Sequence, residues 1–201
     1  MNARFELALL VAVAAVLVWS AIAPRDGLTW WLEAFPVLIA APLLVATFRR
    51  FRFTPLVYGL IAVHAVILLV GAHYTYAEVP IGHWAAETFH LSRNHYDRVG
   101  HVAQGFVPAL IARELLLRTS PLRPGKWLFV LVALSCLGIS AAYELIEWAA
   151  AVATGDDATA FLATQGDVWD TQKDMALAGL SAIVAQLLLG RVQDRQRAAL
   201  A

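Results

Sequence analysis

The sequence predicts an all-α, polytopic integral membrane protein: a bundle of six transmembrane helices with a short interfacial segment in the outside loop between spans three and four. Three observations carry that expectation. Of 201 residues, 60% are hydrophobic and 15% charged, and the mean hydropathy is +0.66, outside the balance of a soluble globular domain. Apolar runs recur at close to the roughly 20 residues that a helix needs to cross hydrocarbon. The basic residues also sort by loop, as the positive-inside rule requires.

The first span, about residues 5–23, has an apolar core longer than a signal peptide's, and no small-x-small cleavage site precedes a soluble domain, so it reads as a retained helix. The second, 28–48, opens on Trp30 and Trp31, an aromatic pair of the interfacial kind. The third covers 54–73. Short connections, Pro24–Gly27 and Arg49–Phe53, favour antiparallel neighbours among these three. In the outside segment from Tyr74 to Tyr96, Ile81, Trp84, Ala85 and Phe89 share one helical face, and His83, Glu87 and His90 the other. That pattern predicts a short helix in the headgroup plane.

The remaining spans cover 97–118, 127–153 and 170–190, with Trp148 and Trp169 flanking the loop between the last two. All six form one membrane domain over residues 1–201. Gly138 with Ala142, and Ala178 with Ala182, are small-residue pairs that let helices approach closely. The single cysteine, Cys136, lies in the fifth span and reads as an inert packing residue.

With the N-terminus inside, the inner loops carry Arg4, then Arg49, Arg50 and Arg52, then Arg118, Arg123 and Lys126, then Arg191, Arg195 and Arg197. The outer loops keep mainly Arg25, Arg93, Arg98 and Lys173. Both termini are therefore expected in the cytoplasm. Net charge is zero, and the chain has no basic stripe interleaved with aromatics and no glycine-rich phosphate loop, which excludes nucleic-acid and nucleotide binding.

Polar residues inside the spans carry the functional signal. The stretch AAYELIEWAAAV holds Glu144 and Glu147 in an otherwise lipid-like run, roughly 25–30 Å along the fifth span. Asp97, His101 and Gln104 open the fourth span, and Asp170 and Asp174 the sixth, just after Asp167; His73, Tyr74, Tyr76 and Glu78 close the third. All therefore sit at one depth, near the outer surface. Acids within a span cost a few kcal/mol each and normally face the bundle interior with a partner.

One reading of this set is a divalent metal site with His73, Asp97, His101, Glu144, Glu147, Asp170 and Asp174 as ligands, because carboxylates at helical spacing joined by histidine resemble the metal sites of helix bundles. A second is acid–base catalysis by Glu144 or Glu147 with His101. A third is a structural network in which Arg98, Lys173 and protonated acids satisfy one another. No nucleophile is evident, since Ser92, Ser140 and Thr171 lack an elbow or triad context. SRNHYDRVGH shares letters with the acid-phosphatase signature of membrane lipid phosphatases, but its spacing is wrong. His64, in mid-span, is expected to hydrogen-bond a neighbouring helix, and Arg113 and Glu114 to serve as topology anchors.

The ordered set GAHYTYAEVP, NHYDRVGHVAQGFVPALIARE, YELIEW and TQGDVWDTQKDM resembles the YjdF-like family of bacterial inner-membrane proteins of unassigned function, over roughly residues 56–188. The resemblance marks the same twelve positions: His73, Tyr74, Tyr76, Glu78, Asp97, His101, Gln104, Glu144, Glu147, Asp167, Asp170 and Asp174. More distantly, acids opening successive spans look like the pattern of VanZ-like membrane proteins, which implies an envelope lipid or lipid-linked partner. The expected function is an outward-facing acidic–histidine site for a divalent metal or lipid-like envelope ligand, with hydrolytic chemistry. The alternatives are a small transporter or proton-coupled carrier, against which stands a polar path reduced below the cluster to His64, and a non-catalytic scaffold or assembly factor.

Overall fold

The computed structural model describes residues 3–154 and 165–200. Among these residues it contains seven α-helices: α1 (Arg4–Ser20), α2 (Gly27–Thr47), α3 (Pro55–Tyr74), α4 (Pro80–Thr88), α5 (Tyr96–Thr119), α6 (Lys126–Thr154) and α7 (Asp170–Ala198), with a single 3-10 turn at Tyr76–Glu78. Local chemistry sets several starts. Asp26 caps α2 by accepting from the Thr29 amide at 2.7 Å, which also holds its carboxyl below the usual range, while Pro55 and Pro80 open α3 and α4, where a missing N–H costs nothing.

Four helices, α2, α3, α6 and α7, are long and apolar enough to cross a membrane, and the protein is a polytopic helical membrane protein. The sequence predicted six such spans. The other two are continuous helices of a different kind: α1 has 17 residues, about 26 Å, and α5 carries polar groups through its first turns. The sixth expected span also continues past residue 190, because α7 runs to Ala198.

Helix direction alternates. Glu6 pairs with Arg52 and the Trp19 ring lies against His73, so α1 and α3 run parallel. Arg98 meets Asp170, Gly105 meets Ala178 and Arg113 meets Asp194, so α5 and α7 also run parallel, opposite to α3, whose Thr54 meets Glu114. His101 faces Glu144, which sets α6 antiparallel to α5. The starts of α2, α5 and α7 thus share one end of the bundle with the ends of α1, α3 and α6. Contrary to the short-loop expectation, α1 and α2 pack on α3 rather than chiefly on each other.

The bundle shows lipid-like residues outward. Leu7, Val11, Phe35, Leu43, Leu145 and Leu187 are exposed, whereas Phe53, Val57, Leu110, Leu128, Val132 and Cys136 form one apolar core and Val13, Trp30, Ala34, Leu69 and Ala72 another. Ile81 and Trp84 on α4, and Phe89 at its C-terminal cap, are exposed. Ala178 and Ala182 are fully buried, and a Cβ on Gly105 would collide with the Ala178 carbonyl, so α5 and α7 touch backbone to backbone. A Cβ on Gly138 would meet nothing within 4 Å among the described residues, so this glycine does not mark a close helix approach there.

Two expectations about single polar residues are corrected. His64 has a buried Nε2 with no hydrogen-bond partner among the described residues, because the neighbouring helix surfaces around mid-span are apolar. Arg113 and Glu114 are not simple anchors. Glu114 is fully buried and accepts from the Thr54 amide and hydroxyl, Arg118 and Gln193. Arg113 grips Asp194 at 2.8 and 2.9 Å. Together they fasten α3, α5 and α7 at the end opposite the expected site.

Candidate functional site

The end of α3 shapes the site. Thr75 is buried with φ of 61°, a conformation that β-branched residues rarely adopt. The turn sends Tyr76 back between α3 and α5, where a Cβ on Gly71 or Gly100 would come within 2.5 or 2.9 Å of its ring. Glycine at both positions is what admits the ring. Asn94 fixes the returning chain, donating to the Ala77 and Val79 carbonyls at 2.9 and 3.0 Å and accepting from the Tyr96 amide at 3.0 Å.

His101 stands at the centre. Its Nδ1 lies 3.0 Å from the Gln104 side-chain oxygen, and donating there leaves Nε2 facing carboxylates, as a lone pair toward a cation or, when protonated, as an ion-pair donor. Nε2 is 3.5 Å from Asp97 and 3.7 Å from Glu144. Two sets of candidate ligand atoms share this ring, Asp97–His101–Asp174 and His101–Glu144–Glu147, each with its atoms within 4.8 Å of one another. All five residues are buried. One oxygen of Glu144 and one of Asp174 accept no hydrogen bond among the described residues, a state that is expensive away from water.

Beside this centre lies an ion-pair layer. Arg93 binds Asp170 at 2.5 Å, and Arg98 binds Asp167 and Asp170 at 2.8 Å each. Lys173 holds Asp167 at 2.6 Å. Lys173, the Trp169 amide and Arg98 together keep the Asp167 carboxyl well below the usual carboxylate range. Asp170, expected as a metal ligand, is instead neutralised by two guanidinium groups.

Three expected members stand apart. His73 donates from Nδ1 to the Ser20 carbonyl, 3.2 Å away, and packs tilted against Trp19 and edge-on against Tyr74. Tyr74 belongs to that same aromatic group. Glu78 pairs with Arg25 and His83 at the surface. The depth argument put them at the same end of the bundle as His101 but gave no direction around the helix.

The structure also adds residues that sequence reasoning missed. Glu33 of α2, 4% exposed, accepts from Tyr143 at 3.3 Å and sits beside Tyr76. Burial and the Glu33 charge push the Tyr76 phenol up, so it remains a proton donor at neutral pH. The signal for Glu33 was available: one acid in the apolar run WWLEAF, the same anomaly that marks Glu144 and Glu147. Arg93 and Asn94, by contrast, read as ordinary loop residues until the loop is folded back.

Electrostatically, Glu33, Asp97, Glu144, Glu147 and Asp174 outnumber the cations that reach them, His101, Arg93 at 3.8 Å from Asp97 and the Nε edge of Arg98 at 3.5 Å from Asp174. Protons or a bound cation must offset the excess. The arrangement suits cation binding and proton transfer.

The sequence matches, over residues 5–195, the family model described as "Predicted membrane protein (DUF2238)". The chain belongs to this family. A relative, the inner membrane protein YjdF of Escherichia coli (strain K12), is 51% identical over 181 residues, covering 90% of this chain and 87% of that protein. The resemblance read from the four motifs is thereby borne out, as is a multi-pass protein of the bacterial inner membrane. The more distant VanZ-like likeness gains no support from these comparisons. No solved structure matches.

Proposed function

We propose that this DUF2238 protein binds a divalent cation at His101, between α5, α6 and α7, and uses it in hydrolytic chemistry on an envelope lipid. In this reading His101 would hold the cation together with Asp97 and Asp174, or with Glu144 and Glu147. When bound, the cation would supply Lewis-acid chemistry, and Glu144 or Glu147 would be placed to act as general base, the role that the sequence assigned to one of them. Glu33, held by Tyr143, closes the inner wall and keeps a further acid within reach. The observation that carries the proposal is the shared position of His101 in two buried ligand sets, reinforced by carboxylate oxygens of Glu144 and Asp174 that accept no hydrogen bond among the described residues.

The same reading takes six spans, counting α1 and α5, with both termini cytoplasmic and the centre at the outer face. The alternating helix directions and the distribution of arginines support it. A carrier reading is weaker, since fully buried Ala109, Leu110, Val132, Ala182 and Ala185 fill the bundle between the centre and the Arg113–Glu114 network.

Elemental mass spectrometry on detergent-purified protein tests the proposal, with wild type beside a Glu144→Gln, Asp174→Asn double variant. Near-stoichiometric metal in the wild type and none in a still-helical variant is the expected outcome. Absence of metal from the wild type after reconstitution with divalent ions would remove the cation and leave a protonated polar network, the scaffold reading.

A further inference from the structure

A groove of about 580 Å³ runs down the outside of the α5–α7 seam, lined by His95, Arg98, Val102, Lys173, Leu177 and Leu180 among others. Its volume lies within the roughly 300–1,000 Å³ of small-ligand pockets. The lining is polarised along the helix axes. His95, Arg98 and Lys173 occupy the starts of the two parallel helices, whereas Val102 lies about 6 Å and Leu180 about 10 Å further along. We infer that this groove holds a phospholipid of the outer leaflet, its phosphate against Arg98 and Lys173 and one acyl chain along Val102, Leu177 and Leu180. The inference deepens the proposed function, and rests on its membrane orientation, by naming the lipid class presented to the centre.

Donor geometry favours a phosphate at the mouth. Lys173 donates to both carboxylate oxygens of Asp167, and its side chain is 48% exposed, which leaves one ammonium donor open to the groove. Arg98 spends Nη2 on Asp167 and Asp170, while Nη1 makes no hydrogen bond among the described residues. A guanidinium and an ammonium on one wall give the planar fork and the point charge with which proteins hold phosphate. Below them the wall turns wholly apolar, so a soluble phosphate would leave most of the groove unfilled, whereas a lipid fills both parts. Arg98 also lies 3.5 Å from Asp174, so a headgroup seated there adjoins the carboxylate–histidine centre directly.

Native mass spectrometry of protein purified in mild detergent, with phosphatidylglycerol added after delipidation, tests the groove. Val102, Lys173 and the remote Leu134 are all partly or largely exposed, so substitution there leaves the packed core alone. The expected result is one lipid retained per wild-type chain, at least ten-fold less on Val102→Trp and on Lys173→Glu, and full retention on Leu134→Trp. Equal retention on wild type and Val102→Trp, or equal loss on Leu134→Trp, overturns the inference, because either marks ordinary annular lipid. Should Val102→Trp fail to fold, Ala176→Leu narrows the same groove with a smaller change. Metal content measured on the same samples separates the two claims. Groove-dependent lipid without metal overturns the cation centre alone, and metal without groove-dependent lipid overturns the groove alone.

Discussion

Glu114 and Asp167 show how differently two carboxylates at opposite ends of one bundle act. Glu114 is sealed from water and serves donors on three helices. Truncation orphans the Thr54 amide and hydroxyl together, while Arg118, partly exposed, turns to solvent. Glu114→Ala is therefore expected to destabilise by about 3 kcal/mol, the low end for breaking a buried pair, and thermal unfolding in detergent checks this. Asp167 works at the surface through pH. Its carboxyl is held low by Lys173, the Trp169 amide and Arg98, so its stabilisation is complete above about pH 4, the ordinary aspartate value, and fades as pH falls toward the lower folded-state value. Wild type and Asp167→Asn should differ in melting temperature at pH 7 and converge in acid, and a gap unchanged down to pH 3 would contradict that account.

Between elements, the close approach of α5 and α7 places Asp97, Arg98 and His101 against Asp170 and Asp174. Gly105 sits where any Cβ would strike the Ala178 carbonyl, and backbone cannot move aside as a flexible side chain can. Gly105→Val should cost about 1–3 kcal/mol or more through overpacking, and should also abolish metal retention by spreading the ligand sets. Gly138→Ala is the contrasting substitution. Nothing lies within 4 Å of that position, so the helix gains about 0.5–1 kcal/mol of propensity and the melting temperature should rise slightly. The two glycines look alike in the sequence, since both sit in small-residue pairs or runs. Only the neighbouring helix distinguishes them.

For the molecule as a whole, alternation of helix direction and the sorting of arginines make one topology natural. Reporter fusions after Ser120 and after Ala198 should report the cytoplasm, and one after Phe89 the outside. An outside signal after Ser120 would overturn the cytoplasmic placement of the termini and put the carboxylate–histidine centre on the inner face. The membrane class, the helical periods and the depth of the polar band follow from local quantities, namely the length of each apolar run, the rise per residue and the position of each acid within its run. His101, Asp97, Asp174, Glu144 and Glu147 were legible for that reason. Rotation about each helix axis is not a local quantity. It depends on which face a neighbour covers, so the sequence put His73 at the same end of the bundle as His101 yet could not show it turned toward Trp19 and Ser20, nor Asp170 claimed by Arg93. Glu33 and Tyr143 joined the centre, and Arg113 and Glu114 became a fastening, only once tertiary packing had fixed how α2, α3, α5, α6 and α7 face one another. Burying polar groups far apart in sequence is favourable only when partners from several helices arrive together.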